Sequence, residues 1–296
     1  MSRHLCALPA VAATLFLVGA AAGCKSEPLQ DPPPPAAVTF LRQGEDHLRA
    51  GRLEKARQAL ETAETNAPRS VQIKMTLGEA YTESQFWERA VSKYQEADLL
   101  TEEKRADPRA AIGDVYRRRG LYGKAIAEYD LALERQENHI GSHYGRAVAK
   151  YFLGDLDEAR RELNVVLTLD PRHVQALIDL GYMDLANGRF EQAFRYFEGA
   201  HALDPENARV HYYKGLCYAK QKRYERAVPE FQSCLRKDPN NVNCRNDLAF
   251  VYWHMDRVDD AKTEFKRVLE VDPANAFAEE QLKLIAAGRK PGSQPD

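Results

Sequence analysis

The sequence predicts an all-α solenoid of tandem antiparallel helix pairs, and three recurrences carry that expectation. Alanine returns at Ala56, Ala90, Ala125, Ala159, Ala193, Ala227 and Ala261, in steps of 34 or 35 residues. A small residue stands 12 positions before each: Gly44, Gly78, Gly113, Ala147, Gly181, Gly215 and Ala249. A bulky residue stands four positions after each: Leu60, Tyr94, Tyr129, Leu163, Phe197, Phe231 and Phe265. A period near 34 is the length of one helix–turn–helix unit. Such a unit cannot bury its apolar face alone, so neighbours must stack on it.

The first 23 residues stand apart from this repeat. Arg3 and His4 precede an apolar run from Leu5 to Ala22, followed by small residues up to Gly23. That is the pattern of a secretory signal peptide. A membrane-spanning helix is the alternative, but the run is near the short limit for one and no stop-transfer signal follows Cys24. Residues 24–36 form a proline-rich linker. Pro32–Pro35 removes amide donors and favours an extended spacer.

Seven units are expected at 37–70, 71–105, 106–139, 140–173, 174–207, 208–241 and 242–275. The stretch 101–108 carries one extra residue, which allows a kink. Unit 174–207 shows the logic. Its first helix ends at Gly188, a residue free to take backbone angles that others resist. In its second helix Phe190, Ala193, Phe197 and Ala200 follow three- and four-residue steps and line one face. Asp204-Pro205 then stops the helix. Small residues at Gly181 and Ala193 mark a close helix crossing, with Phe190 and Phe197 filling the wider gaps beside it. An amphipathic helix at 276–287 reads as the end cap, with Leu282 and Ile285 turned onto the last unit, and 288–296 as a tail.

The small–Gly–Tyr, Ala–Phe–Ala and Asp-Pro pattern resembles the tetratricopeptide repeat family, over about 240 residues. Its marks include Leu77-Gly78-Tyr81, Gly113-Tyr116, Gly215-Tyr218 and Tyr252. Asp-Pro recurs at Asp170-Pro171, Asp204-Pro205, Asp238-Pro239 and Asp272-Pro273. The match weakens at 140–173, where Lys150 takes the usual tyrosine place and Ala147 replaces glycine. The resemblance implies a right-handed superhelix that binds proteins or extended peptides on its first helices. The segment Ala21–Cys24 resembles the cleavage box of bacterial lipoproteins. That implies lipid on Cys24 after processing and, with Lys25 following, sorting to the periplasmic face of the outer membrane.

The family's inward positions imply a groove that changes along its length. The first units contribute Glu45, Arg49, Glu79, Glu83, Asp114, Arg117 and Arg118. The middle units contribute Tyr144, Val148, Tyr151, Phe152, Ile178 and Tyr182, and the last Tyr212, Leu216, Phe250, Trp253 and His254. The charged set Arg49, Glu79, Glu83, Arg117 and Arg118 would steer a client. The aromatic set Tyr144, Tyr151, Phe152, Tyr182, Tyr212, Phe250 and Trp253 would hold it, because aromatic rings offer apolar area with a polar handle. Core packing is the competing reading for Tyr151, Phe152 and Trp253, and is the expected place of Tyr218 and Tyr252. Leu41 and Glu45, or Met75 and Glu79, stand where carboxylate-gripping relatives need lysine and asparagine. That argues against clients held by an acidic C-terminus.

Removing residues 1–23 takes away Arg3 and shifts the formal net charge from −2 to −3. No basic tract appears, which argues against nucleic acid. Cys217, Cys234 and Cys244 remain beyond Cys24. Cys234 and Cys244 lie in successive helices and could pair in an oxidising compartment, or all three could be small buried apolar residues. His139 and His143 lack further ligands, and no phosphate-cradling loop or nucleophile elbow is present. No metal, cofactor or catalysis is expected. The sum is a non-enzymatic, membrane-tethered adaptor for an envelope assembly. The pilotin-like proteins of type IV pili, which assist an outer-membrane secretin, are one class with this combination. A scaffold for cell-wall enzymes, gliding machinery or outer-membrane assembly is the alternative, and an enzyme with an unrecognised groove site the remote one.

Overall fold

The computed structural model describes residues 33–289. The leader, Cys24, most of the linker and residues 290–296 of the tail lie outside the described residues. Within them the chain is a right-handed solenoid of antiparallel helix pairs. The pairs are α1 (Pro35–Arg49) with α2 (Leu53–Asn66), α3 (Val71–Glu83) with α4 (Trp87–Leu100), and α5 (Asp107–Arg118) with α6 (Tyr122–Arg135). Next come α7 (Ile140–Phe152) with α8 (Leu156–Leu169) and α9 (Val174–Ala186) with α10 (Phe190–Leu203). The series closes with α11 (Ala208–Lys220) and α12 (Tyr224–Lys237), α13 (Val242–His254) and α14 (Val258–Val271), and the lone α15 (Ala276–Ala286).

Each unit closes on one interlock. A Cβ built on Gly44 would lie 2.4 Å from Leu60, on Gly78 2.5 Å from Tyr94, and on Gly113 2.7 Å from Tyr129. Gly181 stands in the same way 2.6 Å from Phe197, and Gly215 2.7 Å from Phe231. The bulky partners are buried in every unit. The ring therefore does not fill a gap beside the small residue, as the sequence pattern was expected to work. It lies directly on it. The turn after each first helix needs a left-handed residue. Gly188 supplies it at φ 73°, but Gln85, Lys222 and Asp256 adopt similar angles at the matching places. Except for α1 and α5, first helices start on side-chain caps, as does α15: Ser70, His139, His173, Asn207, Asn241 and Asn275 each accept a backbone amide of the first turn. The His139 Nδ1 is thereby taken up as a cap.

Charged clamps join one unit to the next. Lys74 on α3 reaches Glu64 on α2 at 2.7 Å and Glu96 on α4. Arg109 on α5 bridges Asp98 and Glu128, at 2.8 and 3.1 Å. Arg146 on α7 bridges Asp130 and Glu162, both at 2.7 Å, and Lys214 on α11 bridges Glu198 and Glu230. In unit 174–207 the polarity reverses: buried Asp184 on α9 receives Arg160 and Arg189, both at 2.7 Å. The four cationic clamps tie a first helix to the second helices on both sides of it, and Asp184 ties α9 to α8 and to Arg189 at the N-cap of α10. Buried charge is tolerated because it is paired. His143 is used up in this layer too, bonded to Glu162 at 2.7 Å and to the Glu137 carbonyl at 2.8 Å. The extra residue of 101–108 is absorbed in a turn where Glu102 and Glu103 take φ 52° and 58°. Arg135 crosses that turn to hold both Asp98 and the Arg105 carbonyl.

Gly145 explains the weak match of unit 140–173. The usual glycine place there is Ala147, but a Cβ on Gly145 would lie 2.3 Å from Cζ of Tyr129 in the preceding unit. Tyr129 is thus held between Gly113 and Gly145, drawing α5 and α7 together. Gly145→Ala should displace that ring and cost about 1–3 kcal/mol. Gly123, whose added Cβ would meet nothing within 4 Å, serves as control: Gly123→Ala should stabilise by about 0.5–1 kcal/mol. Urea unfolding of both variants checks the pair, and equal effects would refute the pinch.

Candidate functional site

The first helices of the four central units enclose a cavity of about 530 Å³. Arg117 of α5 stands at one side. Tyr144, Ala147, Val148, Tyr151 and Phe152 of α7 form a wall with Leu163 of α8. Gln175, Asp179, Tyr182 and Met183 of α9 form the facing wall, and Arg209 and Tyr213 of α11 close the far side. Aromatic rings run through it in series. Tyr122 stacks on Phe152 at 5.0 Å, Phe152 meets Tyr151 edge-on at 5.7 Å, Tyr151 meets Tyr182 at 6.4 Å, and Tyr182 meets Tyr213 at 5.6 Å. Phe152 is 59% exposed and Tyr182 39%.

Polar groups hold the walls in register. The Tyr144 hydroxyl donates to Asp179 at 2.8 Å, and Gln175 Nε2 donates to the other carboxylate oxygen at 3.0 Å. Removal from water pushes the Asp179 carboxyl above its usual range, against these two hydrogen bonds and the nearby Arg209 charge. Burial, then the Asp179 charge, pushes the Tyr144 phenol upward, so it remains a donor at neutral pH. Arg117 is fixed from behind: Asp114 takes its Nε and Nη2 at 3.2 and 2.9 Å, and its Nε also donates to the Tyr129 hydroxyl at 3.2 Å. Tyr129 in turn donates to Asp114 at 2.7 Å. The pinched ring of the fold is therefore also the support of a cavity arginine.

Of the expected aromatic anchors, the structure brings Tyr144, Tyr151, Phe152 and Tyr182 together here. Tyr212 and Phe250 lie outside the cavity. Tyr212 spends its hydroxyl on Asp247 at 2.9 Å, the same cross-unit bond that Tyr144 makes to Asp179. Phe250 packs edge-on against His254 at 4.5 Å. Trp253 is a correction: at 4% exposed it belongs to the core. It matches Tyr151 in position, but the residue at that place one unit earlier is Ala219. That small side chain packs against the same cluster and leaves room for the indole. Ile178 is likewise buried, inside the cluster with Phe197.

The charged set divides. Arg117 joins the cavity. Arg118 pairs with Glu83 at 2.8 Å, linking α5 to α3, and exposed Arg49 pairs within α1 with Asp46 at 2.7 Å. Loss of water and the Glu83 charge push the Glu79 carboxyl upward, opposed by Arg118. Cys234 and Cys244 are free buried thiols and not a disulfide. The Cys244 thiol already donates to the Phe231 carbonyl at 3.3 Å, and its Cys234 neighbour and burial push its pKa far up. Burial, then the Glu191 charge, pushes Cys217 up to about 12. Gln175, Asp179, Met183, Arg209 and Tyr213 line the cavity without having been expected there, as do Ala147 and Leu163 from the helix-crossing positions. Gln175 and Arg209 hold the second position of their units, one helical turn before Ile178 and Tyr212. Asp179 and Tyr213 hold the sixth, one residue after those two.

The Tetratricopeptide repeat family matches residues 41–111, 144–200 and 179–242, with further repeat matches at 218–283 and 106–139. The chain belongs to the tetratricopeptide repeat family. Rat FK506-binding protein-like is 39% identical over 69 residues, 23% of this chain and 20% of that protein. The chain thus spans about a fifth of that relative's length. Among solved structures, the Cut9-Hcn1 hetero-tetramer of APC/C superimposes with a TM-score of 0.67 at 18% identity, covering 84% of this chain and 48% of that one. A tetratricopeptide repeat protein from Parabacteroides merdae gives 0.59 at 16%, covering 85% and 99%. YrrB, described as a TPR protein with an unusual peptide-binding site, gives 0.53 at 18%, covering 64% and 98%. At such identities these likenesses show the fold alone. Among the described residues no group of three or more His, Cys, Asp or Glu is placed to hold a metal, and no helix is long and apolar enough to cross a membrane. The repeat fold and its aromatic cavity are those of a protein- or peptide-binding scaffold.

The Tyr144–Asp179 bond crosses from one tetratricopeptide unit to the next, so it couples cavity shape to stacking. Tyr144→Phe should lower stability by about 1–3 kcal/mol, leaving a half-buried carboxylate short of a donor. In an Asp179→Asn background the loss should shrink. Urea unfolding of all four proteins of the cycle measures the coupling, and additive losses would show that the bond is idle.

Proposed function

We propose that this tetratricopeptide protein is a lipid-anchored adaptor at the periplasmic face of the outer membrane. It holds a segment of a client protein and assists assembly of an envelope complex. The observation that carries the binding half is the aromatic cavity, whose exposed Phe152 and Tyr182 stand between Arg117 and Arg209. Aromatic area removed from water supplies affinity at about 25 cal/mol per Å², and the arginines orient the client. A peptide site is described for YrrB, a protein of the same fold. The anchoring half rests on the apolar leader, the Ala21–Cys24 box and the proline-rich spacer that follows. The client class to test first is the secretin of a type IV pilus, which makes this chain pilotin-like.

Two measurements test this reading. Metabolic labelling with palmitate should mark the wild type and not Cys24→Ser, which should also leave the membrane fraction. Equal labelling of the variant would sink the anchor. A photo-crosslinking residue at position 182, in cells, should trap an envelope protein identifiable by mass. Trapping of none would sink the adaptor.

A further inference from the structure

The cavity's own charges say which client segment fits it, on the premise that the cavity is the client site. Its lining carries two cations, Arg117 and Arg209, and one anion, Asp179. The anion is already occupied, with one carboxylate oxygen held by Tyr144 and the other by Gln175. A basic side chain entering here would have to displace those donors while facing two guanidinium groups. The cations are less committed. Arg117 is held through Nε and Nη2, which leaves Nη1 as a donor. Arg209 is exposed. Its guanidinium makes one hydrogen bond, to Gln175 Oε1 at 3.3 Å, lies 5.9 Å from the Tyr213 ring centre, and pairs with no carboxylate among the described residues.

The apolar surface is just as directional. Phe152 and Tyr182 expose ring area beside the cavity, and the strip continues over the helix turns through Tyr122, Leu121 and Leu153. A bulky apolar side chain placed on Phe152 and Tyr182 would bring its flanking residues toward the arginines. We infer that the cavity recognises an extended segment in which an aromatic or large aliphatic side chain is flanked by carboxylates. The carboxylates pair with Arg209 and Arg117, in the forked geometry guanidinium favours. The apolar side chain lies on the Phe152–Tyr182 rings.

Fluorescence anisotropy of the full chain, purified from membranes in mild detergent, tests this with three labelled peptides in one Gly-Ser context. Their centres are Asp-Phe-Asp, Asp-Ala-Asp and Lys-Phe-Lys. The first should bind at least about tenfold more tightly than either of the others, a difference of about 1.4 kcal/mol. Arg209→Gln should weaken Asp-Phe-Asp about tenfold and flatten its salt dependence. Phe152→Ala should weaken it with the salt dependence intact. Both side chains are exposed, and a circular dichroism melt checks that each variant stays folded. The peptide ranking on the wild type needs no variant. Lys-Phe-Lys binding as tightly as Asp-Phe-Asp, or no binding of any peptide, overturns the inference. So does an unchanged affinity in folded Arg209→Gln. A client still trapped at position 182 would then leave the adaptor standing with a different recognition chemistry.

Discussion

The solenoid depends on a bare helix surface meeting a ring. In each unit a glycine or alanine on the first helix faces a leucine, tyrosine or phenylalanine 16 residues later on the second. Overpacking at such a contact has nowhere to go, because the second helix is itself pressed against the next unit. Everything else inherits this spacing. It sets the distance between paired helices, and so the plane in which successive first helices line up. That plane is where the cavity opens.

Between units, charge does what rings do within them. Lys74, Arg109, Arg146 and Lys214 each stand on a first helix and reach the second helices on either side. Such pairs contribute little net energy over apolar packing, yet breaking one leaves a costly unpaired charge. Their effect is on register: a slipped stack would strand the partners. Unit 174–207 reverses the polarity through Asp184 and places Leu177 and Leu180 on the helix that supplies cations elsewhere. The cavity wall is built on this same unit.

The site shows how a repeat becomes individual. Tyr129 fills its own unit over Gly113 and intrudes on the next through Gly145, where the family pattern is weakest. Its hydroxyl and Asp114 then hold Arg117 toward the cavity. The departure from the repeat at Gly145 and Ala147 is thus paired with the place where the cavity opens. Local rules bend where a function needs a particular shape.

The pairing of the helices and the buried rings were legible in the sequence, because they follow from spacing along one chain: a period of 34, a small residue, a bulky one 16 positions on. The resemblance to the repeat family, rather than the spacing itself, marked Tyr144, Tyr151, Phe152 and Tyr182 as inward-facing, and the four line the cavity. It did not distinguish Tyr151 from Trp253, which hold the same position in their units. One lines a cavity and the other is core, and the difference lies in what the neighbouring unit offers, an Ala219 beside the indole's cluster. Nor did it join Arg117 to Arg209, which stand 92 residues apart in the chain and meet only because three unit-to-unit rotations bring α5 and α11 around one cavity. Periodicity determines which face a side chain takes; the twist accumulated between units decides what it faces.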